Sequence, residues 1–357
     1  MNHARTSDKA IIFLVLLAVL MAGCSPANDP AATTADLQSD PQPDLADLPP
    51  GALTVYSGRS ESLVGPILQA FSQVSGIETG VRWGSTSELA VTLLEEGELS
   101  PADVFFAQDP GGLGAVAEQL TPLPSSILDL VDRRFRDPAG RWVGISGRAR
   151  VVVYNTEALT EADLPDSLEG FTDPAWRGRI GWAPTNASFQ TMVTAMRAAW
   201  GEAATRQWLE AMQANQPVVY DGNTPIVAAV GAGEIEVGLV NHYYLYRFLD
   251  EEGAGFAARN YFLPDGGPGS LVMVAGAGVL QSSANKEAAF ELIEYLLSAE
   301  AQAYFAEQTK EYPLAAGVEP AADLIPLAEL NAIDMPLTSL ADLEGTVILL
   351  RQTGVLP

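Results

Sequence analysis

The chain has 357 residues, 48% of them hydrophobic, so it is long enough for two domains with sizeable cores, and wholesale disorder is excluded. Nineteen basic residues against 45 acidic ones give a formal net charge of −26 and a pI near 4.2. This excludes a nucleic-acid partner, which needs a basic face, but names no cationic ligand, because acidity is usually a solvated surface.

Arg5 and Lys9 give a positive n-region ahead of an apolar run of 13 residues, 10–22. The run is short for a bilayer span and right for a secretory signal. It closes in Leu20-Met21-Ala22-Gly23-Cys24, which resembles the lipobox of bacterial lipoproteins, with Met21 where Leu is commoner. Residues 1–23 are therefore read as a lipoprotein signal peptide and Cys24 as the lipidated residue; the other reading is an uncleaved anchor helix. Cys24 is the only cysteine, which suits a lipid better than a disulfide or a metal cluster. Residues 24–50, rich in Pro, Ala, Asp, Thr and Gln, read as a disordered tether. The body then lies outside the cytoplasm, at a membrane surface.

The folded part begins near Ala52. Strands are predicted over residues 53–56, 77–83 and 102–106, each followed by a small polar turn and a helix: 61–74, 89–96 and a short helix after Gly112. Ser85 and Glu88 have capping-box spacing. A long extended segment, 142–154, can cross between two lobes. A strand at 180–183 leads to helices over 189–200 and 202–215. A strand at 217–220 leads to a helix over 226–231, with Thr224 as N-cap and Pro225 at the first helical position. An apolar strand at 235–240 runs into Asn241-His242-Tyr243-Tyr244 and a further helix. A returning strand over 271–280, one amphipathic helix over 286–306, and weaker helices at 321–330 and 340–350 complete the chain. Strands alternating with helices argue for an α/β fold with largely parallel sheets.

Five junctions share one form, strand to polar turn to helix N-terminus: residues 57–60, 84–87, 185–188, 223–224 and 241–244. In open α/β sheets, ligands bind beyond the carboxyl ends of the strands, where helix N-termini suit an anion. Each junction alone reads as an ordinary cap; together they suggest a cleft for something small and polar. Tyr243 and Tyr244 would point apart within a strand, but at a strand-to-helix turn both phenols reach one crevice. Paired phenolates suit ferric iron, a hard cation that wants oxygen donors. The plainer reading is two amphipathic aromatics packing a helix onto a sheet.

His3 and His242 are the only histidines, and His3 lies in the signal segment. No His-rich zinc site, HExxH motif, Gly-x-Ser-x-Gly elbow or GxxxxGK[ST] loop is present. A binding module is favoured over an enzyme; a hydrolase would have to use His242.

From about Leu53 to the last helices, the chain resembles the bacterial periplasmic ferric-ion-binding proteins, the solute-binding components of iron(III) ABC transporters. The markers are Thr54-Val55-Tyr56-Ser57-Gly58, Ser100-Pro101-Ala102-Asp103-Val104-Phe105-Phe106, residues 146–154 and 179–185, Gly233-Glu234-Ile235, Asn241-His242-Tyr243-Tyr244 and Glu311-Tyr312-Pro313-Leu314. The resemblance implies a two-lobed, hinge-closing fold of mixed, mostly parallel sheets flanked by helices. Lobe 1 would be residues 51–148 plus about 272–315; lobe 2 would be 149–271 plus about 316–357. It implies Tyr243 and Tyr244 as iron ligands. A synergistic carbonate or phosphate would be cradled by Asn186, Ala187 and Ser188, with Asn223 and Asn241. Ser60 stands where some members have His, Gln108 where some have Glu, and Phe189 where some have Tyr. Ser57, Arg59, Ser60 and Gln108 are thus the further candidates for the cleft. The implied partner is a membrane ABC permease, and the implied state a monomer. The alternative on the same fold is an organic or inorganic anion, or an iron chelate, bound without direct tyrosinate–iron bonds.

Overall fold

The computed structural model describes Leu45 and residues 48–357; the signal segment, Cys24 and nearly all of the tether lie outside the described residues. Leu45 and Leu48 are not free of the body: a Cβ added at Gly80 would stand 2.5 Å from Leu48 Cδ1 and 3.1 Å from Leu45 Cδ2.

The elements follow in chain order as β1 (Leu53–Ser57), α1 (Glu61–Ser75), β2 (Thr79–Trp83), α2 (Thr86–Glu96), β3 (Val104–Ala107), α3 (Pro110–Ala115), α4 (Ser125–Leu128) and β4 (Val143–Asn155). Next come β5 (Ile180–Trp182), α5 (Ala187–Trp200), α6 (Glu202–Ala214), β6 (Val218–Val219), α7 (Asn223–Gly231), β7 (Val237–Asn241), α8 (Tyr243–Glu252) and β8 (Ala258–Tyr261). The chain ends with β9 (Val272–Val279), α9 (Lys286–Leu296), α10 (Ala299–Gln308), β10 (Tyr312–Pro313) and α11 (Leu343–Gln352). Among the described residues no helix is long and apolar enough to cross a membrane.

One open, mixed sheet runs in the order β2-β1-β3-β9-β4-β7-β5-β6, with β8 and β10 also on β4. The outer pairs β1–β2, β1–β3, β5–β6 and β5–β7 are parallel, as helical crossovers require. The pairs made by β4 and β9 are antiparallel. The 13-residue strand β4 is buried throughout. Its residues 143–149 pair with β9, and its residues 150–154 with β7, so this one strand joins the two halves of the sheet. Its alternation places Val152 in a core with Met192 and Leu239, while Val151 and Val153 join Ile226 and Val240 on the other face. The remaining core surrounds Val55, Phe105 and Val274.

Several local expectations change. The single helix predicted over 286–306 breaks at Ser298, whose side chain accepts from Ala301 N and caps α10 (3.2 Å). The helix predicted over 321–330 is only a 3-10 turn, Leu327–Glu329, because Pro320 and Pro326 interrupt the stretch. Thr224 is not an N-cap: α7 already begins at Asn223, after the extended Gly222, and Pro225 falls inside the first turn, where it is tolerated. The short strands β8 and β10 carry too few residues to show a period. Residues 316–340 send Ala321, Leu324, Leu337 and Leu340 into the core around Val55, whereas Leu349, Leu350 and Leu356 join the core around Val152.

Candidate metal centre

Strand β7 ends at Asn241 and α8 starts at Tyr243. His242, between them, already has helical φ and ψ and makes no side-chain cap. The turn brings both phenols to the first turn of one helix, with ring centroids 4.3 Å apart at 27°. Tyr243 is 4% exposed and Tyr244 half-buried. Arg247, one turn further on, lies 5.9 Å and 5.4 Å from the two ring centroids. Burial pushes the Tyr243 phenol above its ordinary range; the Tyr244 phenol adds to this, and the Arg148 guanidinium opposes it. Among the described residues no group of three or more His, Cys, Asp or Glu side chains is placed to hold a metal.

Beside the tyrosines, Arg150 faces Asn241 in the β4–β7 ladder. Arg150 Nη1 donates to Asn241 Oδ1 (3.0 Å), and Asn241 Nδ2 donates to Ser188 Oγ (2.9 Å). The Ser188 N–H donates to Asn186 Oδ1 (3.0 Å), and Asn186 caps the 14-residue helix α5. Three predicted cradle residues are therefore linked. Ala187 is the exposed first residue of α5. Asn223 opens α7, is 3% exposed, and its Nδ2 is buried with no partner. Arg150 is 1% exposed and has no carboxylate partner; its Nε and Nη2 make no hydrogen bond. Burial pulls its pKa down to about 9, against the pull of Tyr244 and Tyr243, so it stays charged near neutral pH. A buried cation with free N–H groups, linked through Asn241 and Ser188 to the N-terminus of α5, can take an anion.

A second network surrounds Arg59. Ser57 Oγ accepts from the Arg59 N–H (3.2 Å). Arg59 Nη2 pairs with Glu311 Oε1 (2.7 Å), and Nη1 donates to Gln108 Oε1 (3.0 Å). Glu311 Oε2 accepts from Ser146 Oγ (2.6 Å). Arg148 Nη2 donates to the Gln108 carbonyl, and Gln108 N–H donates to Thr86 Oγ1 (2.9 Å). The Ser60 hydroxyl, exposed at the start of α1, meets Ser62 Oγ (3.4 Å) and stands outside this network. Phe189 packs edge-on against Trp182 (5.5 Å) and belongs to the core.

His242 is fully buried. Its Nδ1 accepts the Ala149 N–H (3.1 Å), so the proton sits on Nε2, which lies 2.7 Å from the Lys310 carbonyl. With both nitrogens held by backbone, and with burial pulling its pKa to about 4, His242 is no general base, and the hydrolase reading falls.

The residues that sequence reasoning passed over are Arg148, Arg150 and Glu311. A signal was present: Arg148 and Arg150 are spaced i, i+2, hence on one face of a buried strand, in a chain that holds only 19 basic residues.

A family model described as bacterial extracellular solute-binding protein matches residues 100–333. The chain belongs to this family. The major ferric iron-binding protein of Neisseria meningitidis serogroup B is 36% identical to it over 319 residues, 88% of this chain and 94% of that one. The iron-bound HitA of Pseudomonas aeruginosa has a TM-score of 0.79 at 33% identity, across 85% of this chain and 99% of HitA. A Trichodesmium protein (IdiA, FutA) in complex with iron and citrate gives 0.76 at 29% identity, across 85% and 99%. These relatives are iron-binding proteins, not enzymes. Solute-binding proteins of this kind work outside the cytoplasm with membrane ABC permeases.

Proposed function

We propose that this protein captures ferric iron together with a synergistic anion, carbonate or phosphate, and hands it to a membrane ABC permease. The observation that carries the reading is the juxtaposition of two stacked tyrosines with a buried, carboxylate-free guanidinium at Arg150. In this reading Tyr243 and Tyr244 bind iron as phenolates. Arg150, Asn241, Ser188 and the N-termini of α5 and α7, with Asn186, Ala187 and Asn223, hold the anion. Ser57, Arg59 and Gln108 form the wall that closes over the cargo, and Ser60 stands apart from it at the exposed start of α1. Strand β4, which joins the two half-sheets, acts as the hinge between residues 51–148 plus 272–315 and residues 149–271 with the C-terminal helix α11, and residues 316–340, expected with the second lobe, pack instead into the core of the first. A lipid on Cys24 and the tether that follows keep the monomeric protein beside its permease.

The test is a visible spectrum of the soluble protein from residue 25 onward, titrated with ferric citrate with and without bicarbonate or phosphate. A phenolate-to-iron charge-transfer band should grow to one equivalent and vanish in Tyr243→Phe and Tyr244→Phe. A flat spectrum after iron loading would sink the reading.

A second reading is an iron chelate as cargo. It is favoured by the neutral Gln108 on the closing wall and by the Arg148 and Arg150 guanidiniums. Thermal stabilisation by citrate alone, with no metal, would select it.

A further inference from the structure

His242 does more than separate Asn241 from Tyr243. Its backbone N–H donates to the Ala149 carbonyl (3.0 Å), and its carbonyl accepts from Asn260 Nδ2 (2.8 Å). Its imidazole takes the Ala149 N–H, where β4 passes from β9 to β7. On the far side its Nε2–H reaches the Lys310 carbonyl (2.7 Å), and its ring lies 4.7 Å from that of Tyr312. The Tyr243 ring meets the same imidazole edge-on at 5.8 Å.

Lys310 is one of only two non-glycine residues with positive φ among those described, at 55°. L side chains rarely adopt that conformation, and it persists only where the surroundings hold it. The next residue is Glu311, whose carboxylate holds Arg59, and Arg59 in turn holds Gln108. One continuous set of contacts thus runs from Tyr243 through His242 to residues 310–312 and on to the opposite wall.

We propose that His242 is a positioning residue that sets the Tyr243 phenol and, through its Nε2–H bond to Lys310, ties cargo seating to the 310–312 segment and the Arg59–Gln108 wall. The proposal rests on the tyrosinate–iron reading given above. The geometry supplies two discriminating variants. In His242→Gln the amide nitrogen stands near the Nε2 position and keeps the donor to Lys310. In His242→Asn the amide oxygen stands near the Nδ1 position and keeps the acceptor for Ala149, but the side chain does not reach Lys310.

The experiment measures three things on the mature protein and both variants. They are amide hydrogen exchange over residues 309–313 without iron, the charge-transfer maximum after iron loading, and the rate of iron loss to a competing chelator. His242→Asn is expected to speed exchange over 309–313, shift the band, and release iron about tenfold faster, the loss of one buried hydrogen bond. His242→Gln is expected to stay near the wild-type values on all three. Equal changes in both variants, or none in either while the wild type shows its band, overturn the role of His242. No band in the wild type overturns the cargo reading instead. Should His242→Asn not fold, the wild type still decides: iron loading must slow exchange over 309–313, and unchanged protection there overturns the link.

Discussion

Glu311→Gln tests the buried wall of the cleft. Both side chains of the Arg59–Glu311 pair are 0% exposed, and the contact is 2.7 Å. The substitution keeps the shape and removes the charge, leaving Arg59, whose Nε already lacks a partner, with no counter-ion. Breaking a buried pair by removing one member costs about 3–5 kcal/mol. For a body of about 310 described residues, an unfolding entropy near ~2.1 cal/mol/K per residue gives about 0.65 kcal/mol/K, so the melting temperature should fall by about 5–8 °C. The assay is a thermal melt by circular dichroism at pH 7, repeated down the pH scale. Burial raises the pKa of Glu311, but Arg59, Arg148 and the Ser146 hydroxyl outweigh it, and the net shift is downward. A carboxyl depressed in the folded state contributes stability above its unfolded value, near ~4.3, and loses it as pH falls through the folded value. The gap between wild type and variant should therefore be constant above about pH 5.5 and close in acid. A shift below about 1 °C at pH 7, or a gap that widens in acid, refutes the reasoning. Replacing both partners, Arg59→Met with Glu311→Leu, should cost less than the sum of the single changes.

Two further substitutions probe the elements that lead into α8 and into residues 310–312. Gly238→Ala would bring a Cβ to 2.1 Å from Ile226 Cγ2 and 3.2 Å from Val153 Cγ1, where α7 packs on β7. It should destabilise by about 1–3 kcal/mol in urea unfolding. Ser298→Ala removes the cap that starts α10 and should cost about 1 kcal/mol by the same assay, with no change in iron binding.

The strand-to-helix junctions were legible because their signals are local: an apolar run, a small polar turn, then helical spacing. Tyr243 and Tyr244 could be placed at such a turn from a dozen neighbouring residues. The partners that give the turn its chemistry are not local. Arg150 meets Asn241 91 positions away, and Arg59 meets Glu311 across 252. No periodicity reports such pairings. Sequence alone suggests for His242 only a catalytic base, because it does not show the two backbone groups that occupy the ring nitrogens. The break at Ser298 and the failed helix at 321–330 show the opposite limit, in which local capping and proline chemistry override a helical pattern that runs on across them.

If iron is bound as proposed, Arg150 also sets the kind of anion the centre should want. A ferric ion with two phenolates carries one net positive charge. The Arg59 guanidinium is matched by Glu311, but Arg148 and Arg150 have no carboxylate within ion-pair distance. The cargo and its surroundings then hold about three uncompensated positive charges, and uncompensated charge is costly when buried. A monovalent anion leaves two of them and a dianion one; a citrate trianion cancels all three. Iron affinity should therefore rise from acetate or chloride through carbonate and phosphate to citrate at constant ionic strength. Arg150→Met should lower the demand by one charge and flatten that series. Its cost in stability should stay within about 1–3 kcal/mol, because it removes a lone buried cation but leaves Asn241 Oδ1 without its donor. Competition titrations against a colorimetric chelator in each buffer give the series. An unchanged anion order in Arg150→Met would mean that the anion sits elsewhere and that Arg150 serves only to hold Asn241 in place.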